Sequence, residues 1–266
     1  MGDAGGIRGE IRIAALTEIP DFERCVELQV AVWGYSEGDL IPKRVFIVAR
    51  RIGGQVIGAF DDAAGGLLVG FCLSLPGYRE GRAYLHSHML AVLPDYRNAG
   101  LGRRLKLAQR DDALGRGIEL MEWTFDPLEI KNAHLSIARL GAISRRYLPD
   151  FYGHSSSPLQ GGLPTDRLVA EWWLGSKRVR RILGEKAGGE AGGSDQWIEQ
   201  VAVPQGVYAW KRDPRERHLA EALQARNRAA LESAFARGLA VTGYTRSAEG
   251  DGCFLLGRLT GPEEAH

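Results

Sequence analysis

Two groups of residues in one stretch of the chain have the types and spacing that chemistry needs. His86 and His88 stand two apart. At the two-residue period of a strand, both imidazoles project to one face, the face shared with Leu90 and Val92. Imidazoles titrate near neutral pH, so such a pair suits a proton relay, although it also suits a buried structural pair. Zinc is a third use, but no further ligand stands at metal-site spacing, and no metal is expected. The second group follows directly: Arg97-Asn98-Ala99-Gly100-Leu101-Gly102-Arg103. A helix opening near Gly102 exposes unpaired N–H groups and a partial positive charge. Gly100 and Gly102 let an anion approach the backbone, and Arg97 and Arg103 add cationic donors. The pattern predicts a strand–turn–helix that holds a phosphate or pyrophosphate, the plain alternative being a glycine-rich surface turn. It is neither the three-glycine dinucleotide fingerprint nor a P-loop, which ends in Gly-Lys-Ser/Thr.

The elements that must position these residues can be read around them. Ile11 to Ala15 alternates as a short strand, and Pro20-Asp21 opens an amphipathic helix through Trp33, stopped by Gly34. A loop from Tyr35 to Ile41 leads to a second helix, from Pro42 to about Arg51. Three apolar runs follow, Gln55 to Phe60, Leu67 to Leu75 and Ala83 to Leu93. They are separated by Asp61-Asp62, Gly65-Gly66 and Pro76-Gly77 and read as an antiparallel meander. After the glycine turn come a helix to about Leu114, a strand from Ile118 to Phe125, and a helix from Asn132 to Leu140 capped by Gly141. Strands near Ile143 to Tyr147 and from Leu168 to Leu174 complete a mixed α/β order βααβββαβαββ. Gly184 to Ser194 reads as a flexible linker. Beyond it stand a strand from Trp197 to Val203, a helix from about Pro214 to Arg237, and strands from Val241 to Thr245 and Phe254 to Leu259. Residues 1–175 are thus read as one domain and 176–266 as an extension that packs on it or on a second copy of the chain, a homodimer.

Composition bounds the partners. The chain has 266 residues, a formal charge of +1 and 44% apolar residues, which suits a globular protein and gives no case for nucleic acid or a membrane surface. Cys25, Cys72 and Cys253 are far apart and form no Cys-x-x-Cys pair, so reduced, buried thiols in a cytoplasmic protein are expected. No apolar run reaches membrane-spanning length, and Met1 to Glu10 does not read as a signal peptide.

The residues quoted above resemble the GCN5-related N-acetyltransferases, the GNAT superfamily. Arg97, Gly100 and Gly102 match its Arg-x-x-Gly-x-Gly motif, and Leu90-Ala91-Val92 with Pro94 is similar to the strand that leads into it. The resemblance covers roughly residues 10 to 175, and the element order is that family's. It implies that Leu90, Ala91, Val92, Arg97, Asn98, Ala99, Gly100, Leu101, Gly102 and Arg103 bind an acyl-coenzyme A. It further implies that Asn132 contacts the coenzyme, whereas an N-cap is the plain reading of that asparagine, and that Trp33 and Tyr35 line an acceptor pocket. His-x-His-x-Leu-Ala-Val before the glycine loop is similar to arylalkylamine N-acetyltransferases, in which the pair lies on the proton path. Many members supply a tyrosine as the acid four residues before the glycine corresponding to Gly141. Here that position is Ile137, so Tyr152, or Tyr147, is the candidate acid.

Trp123-Thr124-Phe125-Asp126-Pro127-Leu128, Asn132-Ala133-His134 and the tail from Asn227-Arg228 to Val241-Thr242-Gly243-Tyr244 narrow the resemblance. They look like a bacterial GNAT subgroup with a C-terminal extension, some members of which accompany N-acylamino-acid racemases. This implies transfer of an acetyl or succinyl group from coenzyme A to a small amine, an amino acid first, by direct attack in a ternary complex. A carboxylate on either substrate would want an arginine, for which Arg50, Arg145 and Arg146 are candidates or else plain surface residues. The alternatives are an arylalkylamine or other small-amine acetyltransferase, a protein N-acetyltransferase, and a coenzyme-binding module without turnover.

Overall fold

The computed structural model describes residues 10–184 and 197–259. The expected linker, apart from Gly184 itself, lies outside the described residues. Contacts divide the chain into two units, Met1–Met121 and Glu122–His266. In the first, β1 (Ile11–Ala15) is followed by α1 (Ile19–Trp33) and α2 (Lys43–Arg51). A meander of β2 (Gln55–Asp61), β3 (Leu67–Arg79) and β4 (Arg82–Val92) comes next, and then α3 (Leu101–Gly115). The four strands lie in chain order, each antiparallel to the next. The boundary falls inside β5 (Leu120–Phe125).

The strands of the first unit are buried on both faces. One face packs Leu73, Met89 and Ala91 against Phe22, Leu28 and Phe46 of α1 and α2. The other packs Ile57, Val69 and Cys72 against Leu101 and Leu105 of α3. Gln29 of α1 is fully buried. Its amide donates to the Ile41 carbonyl at 2.9 Å and accepts from the Ile41 N–H at 2.8 Å, which pins the connection between the two helices.

The expected turn at Pro76-Gly77 is corrected: β3 runs through it to Arg79, and the chain reverses at Glu80 and Gly81, both at positive φ. β2 pairs with β3 only as far as Ser74. Pro76 therefore lies where one edge of the strand has no partner in β2, and its missing N–H breaks no bond with that strand. Gly77 is needed because the Tyr84 ring across the pair would lie 2.4 Å from a Cβ there.

In the second unit β5 is followed by α4 (Ile130–Ala133), β6 (Tyr147–Leu148) and β7 (Arg167–Trp173), with β7 lying between β5 and β6. The order βααβββαβαββ is therefore the observed one. The helix expected from Asn132 begins at Ile130 and widens into a π-helical turn over His134–Arg139. The strand expected near Ile143 to Tyr147 shrinks to bridges at Ile143 and Ser144 and the two-residue β6.

Then come α5 (Lys177–Leu183), which sequence reading missed, β8 (Trp197–Val203), α6 (Val207–Arg212), α7 (Arg217–Ala236), β9 (Ala240–Arg246) and β10 (Gly252–Gly257). The long helix expected from Pro214 is two helices. Asp213 accepts from the Arg215 N–H at 2.9 Å in the turn between them, and Pro214 has no N–H to continue the ladder. β10 is the middle strand of a three-stranded antiparallel sheet.

The extension shares this unit with residues 122–175, and buried charge ties the two parts together. Arg228 of α7 forks onto the fully buried Asp166 at 2.8 and 2.7 Å. Lys211 of α6 reaches Asp126, just past β5, at 2.6 Å, both side chains being almost wholly buried. Burial pushes the Asp126 carboxyl up, but Lys211 outweighs it and holds the group below its usual range. Lys211→Met leaves that carboxylate uncompensated and is expected to cost about 3 kcal/mol in urea unfolding at pH 7. A folded carboxyl below its unfolded value stabilises above the unfolded pKa and loses that contribution as pH falls. The gap between parent and variant should therefore narrow below about pH 4.

Candidate active site

The phosphate-type turn forms as its residues require. Val92 ends β4, Pro94–Tyr96 make one 3-10 turn, and the Tyr96 hydroxyl donates to Asp61 at the end of β2, 2.8 Å away. The Arg97 Nε donates to the Val92 carbonyl at 3.0 Å and holds the start of the turn. Asn98 and Gly100 both take positive φ, 64° and 78°. Gly100 is the N-cap residue of α3 and supplies no side chain to its first turn; a Cβ there would meet nothing within 4 Å. The first helical bond runs from the Arg104 N–H to the Gly100 carbonyl. The N–H groups of Leu101, Gly102 and Arg103 thus precede any intrahelical acceptor. Arg97 to Gly100 are exposed and Leu101 is buried, which anchors the helix under an open turn. Backbone donors, a helix dipole and open space together fit an anionic group such as a pyrophosphate.

The histidines lie together but not where strict alternation puts them. Leu73 pairs with Met89, yet Ser74 pairs with Ser87, so His88 is an extra residue, a bulge in β4. On one side of the bulge Leu90 and Val92 pack on the α3 face. On the other, Ser87 bonds α3 through Lys106 and Gln109, while Leu75, paired with His86, packs on the α1/α2 face. His86 therefore faces α1 and α2, and the His88 ring lies 6.1 Å from it, centroid to centroid. The expected common face with Leu90 and Val92 is corrected, because the bulge turns the strand over. This places the pair on the side of the α1–α2 connection. Trp33 and Tyr35, stacked at 5.4 Å, pack against the same cluster.

The other candidates stand in the second unit. Tyr152 is 45% exposed, its hydroxyl shares a hydrogen bond with Thr124 Oγ1 at 2.8 Å, and Arg167 lies over its ring. The Tyr147 hydroxyl donates to Asp166 at 2.6 Å; burial and that carboxylate push its pKa up, so it holds its proton. Asn132 is exposed and is not the cap, since α4 begins two residues earlier; its side-chain oxygen accepts from Ser136 Oγ at 3.3 Å. Ile137, in place of the expected tyrosine, is fully buried.

Arg145 and Arg146 are corrected as free carboxylate binders. Arg145 forks onto Glu171 at 3.1 and 2.9 Å, and Arg146 bonds both Glu171 and Glu122, two buried carboxylates. Arg50 on α2 remains exposed. The interdependence of these charges has no local spacing that a sequence would reveal. Among the described residues no group of three or more His, Cys, Asp or Glu comes together as a metal site. Nor, among the described residues, is any helix long and apolar enough to cross a membrane.

Residues 22–141, just under half of the chain, match the model of the acetyltransferase (GNAT) family. In this stretch the chain is similar to the GNAT acetyltransferases. No curated protein matches the chain in sequence. Among solved structures, it is similar to Arabidopsis thaliana NAA60 in complex with a bisubstrate analogue. The identity is 15%, over 62% of this chain and 99% of that one, with a TM-score of 0.49. The ribosomal-protein-S18-alanine N-acetyltransferase of Escherichia coli is 15% identical over 68% of this chain and 99% of its own, with a TM-score of 0.48. The acetyltransferase yncA of Salmonella typhimurium, solved with acetyl-CoA, is 16% identical over 69% and 99%, with a TM-score of 0.47.

Within this stretch, burial lowers the His88 pKa from its ordinary value, which favours the neutral ring, able to take a proton. The measurement that checks this is the pH dependence of its ring resonances by NMR. The midpoint should fall below histidine's ordinary value. The unfolded chain then holds a proton the folded chain lacks, so this group's contribution to stability falls as pH drops through the interval between the two midpoints.

Proposed function

We propose that the protein transfers an acyl group, acetyl or succinyl, from coenzyme A to the amine of a small molecule, an amino acid first. The observation that carries this reading is the layout of β4. The strand runs into a glycine turn without a side-chain cap at its C-terminal end and presents two neighbouring imidazoles at its middle, all within the stretch that matches the GNAT family. The coenzyme supplies the activated thioester, and every other requirement falls on the chain. Arg97 to Arg103 hold the pyrophosphate with backbone N–H groups and the helix dipole, and Leu90 to Val92 present strand backbone to the rest of the donor.

An ammonium has no lone pair, so the acceptor must lose a proton before it attacks. His88, its neutral form favoured by burial, takes that proton, and His86 beside it passes it outward. Removing such a base costs about 10²- to 10⁴-fold. A strand N–H near Leu90 stabilises the oxygen that gains charge. Tyr152, exposed and with its hydroxyl on Thr124 Oγ1, is the candidate acid for the leaving thiolate, and Asn132 an accessory coenzyme contact. Arg50, on α2, is the arginine for a carboxylate-bearing substrate, now that Arg145 and Arg146 are engaged with Glu122 and Glu171. An arylalkylamine acceptor is the rival that the histidine pair favours, and a protein N-terminus is a third. The buried Ile137 in the usual place of the acid supports a second reading, a coenzyme-binding module without turnover.

Free-thiol release, measured with acetyl- and succinyl-coenzyme A across amino acids and arylalkylamines, separates these readings. Release with an amino acid is expected; tight coenzyme binding with no release from any acceptor would establish the module instead. Arg97→Ala combined with Gly102→Val should weaken coenzyme binding by about 100-fold or more in calorimetry, the combined loss of a charged contact and of backbone approach. Binding at the parent's affinity would remove the turn from the site. His86→Ala with His88→Ala should lower turnover and flatten the acidic limb of the pH–rate profile.

A further inference from the structure

Ser87 lies between the two histidines and points the other way, into the core under α3. Its hydroxyl accepts from Lys106 Nζ at 2.7 Å and donates to Gln109 Oε1 at 2.9 Å. All three side chains are buried, Lys106 to 3% exposure. Ser74, paired with Ser87 beside the bulge, is tied to the same helix. It donates to Gln55 Oε1 at 2.9 Å, and Gln55 donates to the Gln109 carbonyl at 2.8 Å and to Asp112 at 2.7 Å. The bulge is thus anchored to α3 by polar bonds inside an otherwise apolar layer of Ile57, Cys72 and Leu105. An amine in such a layer is costly, and a methionine would fill the space without desolvation.

We propose that Lys106 is a positioning residue. From the α3 side it holds Ser87, and through Ser87 the bulge, so that His86 and His88 stay together on the α1/α2 face. This rests on the reading of the histidines as the proton path. Burial pulls the Lys106 amine down to about 7, so its charge changes in the range where the histidines work. The titratable group facing it from β3 is Cys72, whose thiol burial pushes up to about 12. β2 and β4 contribute the neutral Gln55 and Ser87, β1 the apolar Ile11 and Ile13, and α3 itself Arg110 and Asp112.

The test is Lys106→Met and Ser87→Ala, singly and together, read by thiol-release kinetics and by NMR titration of the histidine rings in the full chain. Lys106→Met removes a buried amine and should fold; Ser87→Ala cuts the same link with a smaller change. Each should lower kcat by about 10- to 100-fold, the cost of a displaced base, with the KM for acyl-coenzyme A within about twofold. Lys106→Met should also move the His88 midpoint, because displacing the bulge changes the burial that lowers it, and the double variant should lose no more than the worse single one. Folded variants with the parent's kcat and histidine midpoints, alongside His86→Ala and His88→Ala variants that alter the pH profile, would overturn the role of Lys106 and leave the proton path standing. If the histidine variants turn over like the parent, the proton path falls. The ring midpoints then decide alone: moved midpoints keep Lys106 as the anchor of the pair, and unmoved ones remove it.

Discussion

One residue too many in β4 organises the first unit. Because Ser74 faces Ser87 while Leu73 faces Met89, His88 has no place in the ladder, and the strand turns over around it. Beyond the bulge, Leu90 and Val92 seal the layer against α3; before it, Ser87 takes up that task with polar bonds. A regular strand would bury the histidines under α3 among Leu101 and Leu105, where imidazoles have no acceptor to serve. The bulge instead delivers them to the side where Gln29 pins the α1–α2 connection. Strand irregularity is local in cost and long in reach, since every side chain beyond it changes face.

The far end of the same strand obeys a different constraint. At the end of the turn α3 starts at a left-handed glycine with no capping side chain, an arrangement that fits an anion. The bonds that stabilise the turn are made behind it: Tyr96 to Asp61, Arg97 Nε to the Val92 carbonyl, Arg104 to the Ile11 carbonyl at 2.6 Å. The loop is thereby fixed by bonds made behind it, a pre-organisation that suits an anion site.

In the second unit, charges that look available in the sequence are spent on structure. Glu122, Glu171 and Asp166 are buried, and each is met by arginine from a neighbouring element. Such pairs contribute little net stability compared with apolar packing, but removing one partner is costly, so they fix which elements lie together. Arg228 and Lys211 make α7 and α6 integral to the fold around residues 122–175, rather than an appendage to it.

The chain's periodicity and punctuation were enough for the element order from β1 to β7, though not for α5 or α6, because apolar repeats and Gly, Pro and Asp breaks act within a few residues of themselves. The Arg97–Gly102 turn was legible for the same reason: its glycines, its arginines and the helix that follows are contiguous. Tertiary structure decided the rest. The face of His86 and His88 depends on register against β3, the engagement of Arg145 and Arg146 on carboxylates more than 20 residues away, and the path of β3 through Pro76 on where β2 stops. None of these has a local signature, since register, ion pairing and edge exposure are properties of two segments at once. The sequence by itself determined that β4 carries a histidine pair and runs into a glycine turn before a helix; only the fold decided which side of the sheet the pair faces.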